Sequence, residues 1–193
     1  MSPSGETAIA FINMDNVDEA LFDDPSQIPS REEAIYHLML IDAETLSFKT
    51  LPLGDVIPRY ALTPNGQMLI VEDAEFRQSR ANMRILDIDT LTLHPVEGPK
   101  ARLLHYVMTS DSSRALLIDE HLYELAINER RVERIDLGIK PRQLNLTPDD
   151  RHLLIRDRES KIWVYDLTSR ELTHKIELPW SLQNEYRDEY EWY

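Results

Sequence analysis

Thr63-Pro64-Asn65-Gly66, followed at once by Gln67-Met68-Leu69-Ile70-Val71, decides how this chain is read. Proline presets φ, asparagine bonds nearby amides and glycine supplies a positive φ, so the first four residues encode a tight turn. The run behind them is short, branched and bounded by turn signals, which predicts a buried strand. The phrase recurs as Ser2-Pro3-Ser4-Gly5, Thr109-Ser110-Asp111-Ser112 and Thr147-Pro148-Asp149-Asp150, each before an apolar run at residues 8–12, 115–118 and 152–155. The starts lie 61, 46 and 38 residues apart, the range in which four-stranded repeat units recur.

Working outward from each turn, a further strand is expected at residues 36–41, 83–88, 121–127 and 161–167. Near its end stands Asp42, Asp87, Asn128 or Asp166, a short side chain suited to bonding the amides of the next turn. A more polar outer strand follows at 46–51, 91–96, 132–137 and 172–178. An inner strand then leads into the next turn phrase at 60–62, 104–108 and 144–146. The first phrase has no such strand before Ser2, so about 15 strands are expected. Gly54, Gly98 and Gly138 follow outer strands, where backbone turning explains them.

Ile41-Asp42 with Thr45-Leu46, Leu86-Asp87 with Thr90-Leu91, and the Thr-Pro-Asn-Gly turn resemble the repeats of bacterial YVTN-type and WD40-like β-propellers, over roughly residues 2 to 178. No Trp-Asp dipeptide closes a blade, Tyr165-Asp166 being the nearest, and no Tyr-Val-Thr-Asn sequence is present. The resemblance implies an all-β chain, a propeller-like array of about four four-stranded antiparallel blades, the first lacking its inner strand. The expected blades span about 1–57, 58–100, 101–140 and 141–179, with an aromatic and acidic C-terminal tail at 180–193. Propellers typically have 4 to 8 blades. The expectation is therefore a partial propeller, or one completed by a protein partner or a second copy, because an open end leaves unpaired backbone and apolar surface.

Composition bounds the function. With 42% hydrophobic and 29% charged residues the chain is globular, and no apolar run approaches the ~20 residues that span a bilayer. Thirty-five acids against 21 Lys and Arg give a net charge of −14, which argues against nucleic acid and anionic membranes as partners. The N-terminus lacks signal-peptide order, so the cytoplasm is the expectation for the chain as given. A longer secreted parent would place it in the periplasm or at the surface. The absence of cysteine removes thiolate nucleophiles and disulfides.

Candidate binding residues come from the repeat. Four residues before each turn threonine stand Arg59, His105 and Gln143, with Arg142 beside the last. On the resemblance these positions line a central channel, a polar and partly basic throat in an acidic chain, and arginine offers a planar donor fork to carboxylate or phosphate. The competing expectation is that each arginine pairs with a nearby acid such as Asp73, Glu120 or Asp157. The tail offers Trp180, Tyr186, Tyr190 and Trp192 as partner-binding aromatics or as a short cap on an end blade. A long acidic loop at residues 13–33 carries Asp15, Asp18, Asp23 and Asp24, which lack EF-hand spacing and are expected to be solvated rather than metal-bound. A second long loop occupies residues 72–82.

No zinc spacing, nucleophile elbow or phosphate-cradling glycine loop occurs. No catalytic residue and no cofactor is expected. The sequence therefore points to a non-catalytic protein-binding or scaffold module. The alternative is part of a propeller enzyme of the lactonase-like branch, with a polar central channel.

Overall fold

The computed structural model describes residues 7–16, 34–54, 59–73, 82–103 and 105–177. They form four antiparallel sheets of three, four, four and four strands. The first comprises β1 (Thr7–Asn13), β2 (Tyr36–Asp42) and β3 (Phe48–Gly54). The second runs β4 (Arg59–Leu62), β5 (Met68–Asp73), β6 (Asn82–Asp87) and β7 (Thr92–Pro95). The third holds β8 (His105–Met108), β9 (Arg114–Ile118), β10 (Leu122–Ala126) and β11 (Arg131–Ile135). The fourth holds β12 (Pro141–Leu146), β13 (His152–Asp157), β14 (Lys161–Asp166) and β15 (Glu171–Glu177).

Within each sheet the strands lie in sequence order, and each blade-like sheet is a simple meander. The three complete sheets begin with an inner strand that leads into the turn phrase. Among the described residues the first sheet has none: it starts at β1, the strand that follows the phrase.

The turn phrase has one hydrogen-bond design. In the second sheet the Thr63 amide donates to the Met68 carbonyl at 2.9 Å, the Met68 amide donates back to Thr63 Oγ1 at 3.0 Å, and that hydroxyl reaches Asn65 Oδ1 at 2.7 Å. Asn65 Oδ1 also accepts from the Gln67 amide. Thr109 with Asp111, Ser113 and Arg114, and Thr147 with Asp149, Arg151 and His152, repeat every one of these bonds. In these three phrases the fourth residue takes a positive φ, Gly66 at 72°, Ser112 at 61° and Asp150 at 55°, while Ser2-Pro3-Ser4-Gly5 lies outside the described residues. Only Gly66 does so without steric cost.

The chain divides into two compact units, Met1–Lys100 and Ala101–Tyr193. In the first, Leu38, Leu40 and Leu53 pack against Leu69, Val71 and Leu86, with Ile9 and Phe11 at the margin. In the second, Leu116, Ile118 and Leu122 meet Leu144, Leu153, Ile155, Tyr165 and Leu167. Alternation along each strand explains the pairing, since every second residue points to one face. Each fully buried aliphatic side chain contributes about 1.5–3 kcal/mol. No helix among the described residues is long and apolar enough to cross a membrane.

Candidate functional site

The inner strands carry the exposed chemistry. On β4, Arg59 and Tyr60 are exposed while Ala61 is buried; on β8, His105 and Tyr106 are exposed while Val107 is half-buried. The pattern follows from the sheet: the end near the turn packs into the core, and the other end leaves it. Tyr60 is 50% and Tyr106 41% exposed, and both hold the same register position, opposite Val71 and Leu117. The sequence placed Tyr60 and Tyr106 inside strands, and no signal in a single strand told whether a neighbour covered them.

Arg59 stands on β4 of the first unit, opposite the buried Glu72. His105, Arg142 and Gln143 belong to the second unit, where β12 lies against β8 and β9. His105, Arg142 and Gln143 are all exposed. The β12 register passes from Pro141 to Gln143, which leaves Arg142 in a β-bulge that turns its backbone out of the ladder. Asp157, one acid the sequence offered to the arginines, is otherwise engaged. Its carboxylate accepts from the Glu159 and Lys161 amides, each at 2.9 Å, and from Trp163 Nε1 at 2.7 Å.

Two clefts open in the second unit. One, of about 370 Å³, is lined by Arg114, Glu124, Arg131, Glu133 and Arg170 among others. Glu124 and Glu133 oppose each other across β10 and β11, a repulsive arrangement unless cations intervene. They do: Arg170 lies 3.3 Å from Glu124 and 3.4 Å from Glu133, Arg131 lies 3.2 Å from Glu133, and Arg114 lies 3.8 Å from Glu124. Burial pushes the phenol of Tyr165 above its ordinary pKa, with the nearby positive charge of Arg170 opposing. The charges of this cleft are paired among themselves, which suits a brace between the third and fourth sheets better than a ligand site.

The other cleft, of about 310 Å³, is bordered by Arg134, Lys140 and Arg158, with Glu120, His121 and Asp136. Asp136 accepts the Gly138 amide at 3.1 Å. Three cations around a shallow cleft can receive a carboxylate or phosphate from a partner molecule.

The turn carboxylates are tuned but structural. The Thr109 hydroxyl, then the Ser113 amide and hydroxyl, lower the Asp111 pKa from 3.8 to about 2. Asp149 is lowered by the Thr147 hydroxyl and the Arg151 amide. Asp42, Asp87 and Asp166 are lowered chiefly by the amides of Thr45, Thr90 and Ser169. Bonds to backbone amides favour the ionised form, so these groups hold turns and are poor proton donors. In the third sheet the equivalent of Asp42 is Ala126, four residues before the positive-φ Arg130, and not Asn128. There the Arg130 amide donates to the Ile127 carbonyl at 3.2 Å.

Trp180, Tyr186, Tyr190, Trp192, Asp18, Asp23 and Asp24 lie outside the described residues, as does most of both long loops. Asp15 is exposed, and its amide donates to Asn13 Oδ1. Among the described residues no group of three or more His, Asp or Glu side chains is placed to hold a metal ion.

No protein-family model matches the sequence, and no curated protein matches it. Solved structures do match, distantly. AztD from Citrobacter koseri superposes with a TM-score of 0.55 at 17% identity, over 74% of this chain and 44% of its own. Hydrazine synthase of Kuenenia stuttgartiensis gives 0.53 at 13% identity, over 91% and 60%. TolB from Acinetobacter baumannii gives 0.50 at 17% identity, over 74% and 38%. The chain thus spans less than two thirds of each of these propeller-containing structures. At such identities the likeness is one of fold: this chain is all-β, built of four antiparallel sheets that resemble propeller blades.

Proposed function

We propose that the protein is a non-catalytic protein-binding or scaffold module whose blades present their inner strands to a protein partner. The observation that carries this reading is the pair of exposed tyrosines, Tyr60 and Tyr106, each fixed on a strand beside a cation or imidazole, Arg59 or His105. Tyrosine next to a basic group on a rigid backbone is interface chemistry, because large aromatic area is presented at small entropic cost. The carboxylates best tuned in the structure are committed to turns, which supports binding over acid–base chemistry.

The test is affinity capture with the purified full chain and with Tyr60→Ala and Tyr106→Ala variants shown by circular dichroism to be folded. A partner retained by the parent and weakened roughly 10- to 100-fold by either substitution, the range of interface hot spots, supports the reading. Turnover of a lactone panel that disappears in Arg59→Ala or His105→Ala would overturn it in favour of the enzyme alternative. So would capture that neither tyrosine affects.

A further inference from the structure

We infer that the open edge of β1 accepts one extended strand of a protein partner, added antiparallel as the missing inner strand of the first sheet. The inference rests on the protein-binding reading above and gives the partner a place and a pattern.

In the other three sheets the strand after the turn phrase has an inner neighbour: β4 beside β5, β8 beside β9, β12 beside β13. β1 pairs with β2 over all seven of its residues, and among the described residues nothing pairs with its other edge. The peptide groups on that edge follow from register. The Thr63 amide bonds the Met68 carbonyl, so Met68 faces β4, and the Ile88 amide bonds the Gln67 carbonyl, so Gln67 faces β6. Alternation then turns Ile70 and Glu72 toward β4. Thr7 opposes Asp42 as Met68 opposes Asp87, which makes Thr7, Ile9, Phe11 and Asn13 the residues aimed at the open edge. In agreement, the Met14 amide turns the other way and bonds the Ile35 carbonyl on the β2 side.

Free strand edges are normally protected by charge, proline or a bulge. Thr7-Ala8-Ile9-Ala10-Phe11-Ile12-Asn13 has no charge and no proline, and its register with β2 is unbroken. The neighbouring sheet carries a second sign. Tyr60 on β4 and Leu144 on β12 hold equivalent positions, opposite Val71 and Ile155. Leu144 is 6% exposed, in the unit where β12 has β8 alongside. Tyr60 is 50% exposed and instead stacks on Phe11, with ring centroids 3.8 Å apart and planes at 18°. Among the described residues of the first unit, no strand takes the place beside β4 that β8 takes beside β12.

Two of the three described inner strands specify the occupant, while β12 departs from them with Gln143-Leu144-Asn145-Leu146. Arg59-Tyr60-Ala61-Leu62 and His105-Tyr106-Val107-Met108 share one pattern, a basic or imidazole residue, a tyrosine and two apolar residues. Transferred by register, the first residue of a partner strand stands opposite Phe11 and the fourth opposite Ala8. Backbone bonds supply affinity and alternate side chains supply selectivity, as in other strand additions.

The probe is a synthetic peptide copying residues 102–110, added to the full chain and followed by amide hydrogen exchange. At up to about 1 mM peptide, enough to fill a weak site, the amides of Ile9 and Phe11 are expected to slow at least about tenfold, while those of Ala8 and Ala10, already bonded to β2, change little. The Thr109 amide bonds across to β9, so the amides of His105 and Val107 face the same way. A peptide N-methylated at those two positions is therefore expected to lose binding, and one N-methylated at the Tyr106 and Met108 positions to keep it. Unchanged exchange at Ile9 and Phe11, or equal behaviour of the two methylated peptides, overturns the inference. A dimer in light scattering with Ile9 and Phe11 protected before peptide is added overturns it too, by making a second copy the occupant. If the edge stays silent while the tyrosine variants lose their partner, the edge fails and the binding module stands. If the peptide binds but capture is indifferent to the tyrosines, the edge stands and the broader reading fails.

Discussion

The Thr109 hydroxyl shows how one side chain sets a turn. It donates to Asp111 Oδ1 at 2.6 Å and accepts the Arg114 amide at 3.1 Å, tying the start of the phrase to the strand behind it. Asp111 sits at a folded pKa of about 2, below the ordinary 3.8. A depressed carboxylate contributes stability that is present above its unfolded pKa and lost as pH falls through the folded one, so this contribution fades between about pH 4 and about pH 2. Asn65 holds the same place in the second sheet, which shows that the amide fits. Asp111→Asn should therefore keep the turn, melt lower than the parent at about pH 6, and converge with it by about pH 2. A difference in melting temperature that does not shrink with acid would show that the charge is not what stabilises the turn. The Thr-Pro-Asn-Gly phrase made this turn legible, but Leu46 at φ 57° and Leu91 at φ 57° were not. Leucine is disfavoured in that region, so nothing in either residue type announces the conformation that the Asp42 and Asp87 turns impose.

At the scale of the strand, equivalent residues differ because their neighbours do. Ile9 and Ile70 hold the same register position, yet Ile70 is fully buried and Ile9 only half-buried. Truncating a buried isoleucine removes transfer energy and leaves a cavity, about 2–5 kcal/mol for Ile70→Ala. A half-buried site at an open edge can relax, so Ile9→Ala should cost roughly half as much. Urea unfolding of both variants checks this, and equal losses would mean that β1 is as fully supported as β5. The strands themselves were readable from alternation and turn signals: residues 68–71 and 115–118 lie within β5 and β9. The exposure of Tyr60 was not, because it depends on whether another strand lies alongside, a property of the neighbouring sheet. Glu124 and Glu133 were hidden for the same reason, their repulsion and its relief by Arg170 being set by a register and a turn 37 residues farther on.

Across the whole chain the excess of acid sets a field that local pairs do not cancel. Thirty-five acids face 21 Lys and Arg, for a net charge of −14, and folding brings those charges closer together. Against this stand ion pairs such as Arg131 with Glu133 and Lys175 with Glu177, whose exposed groups make each of them weak. Salt weakens both terms, but it acts over about 10 Å at 0.1 M and so removes long-range repulsion more completely than contacts of 3–4 Å. Stability should therefore rise as NaCl goes from about 0.02 to about 0.2 M, with the melting temperature gaining roughly 2–4 °C for each kcal/mol of repulsion relieved. Thermal melts at fixed pH measure it. A fall in melting temperature over that range would mean that the ion pairs, foremost the Arg114–Glu124–Arg170–Glu133 group, outweigh the net charge, and would make that cleft the electrostatic anchor of the second unit.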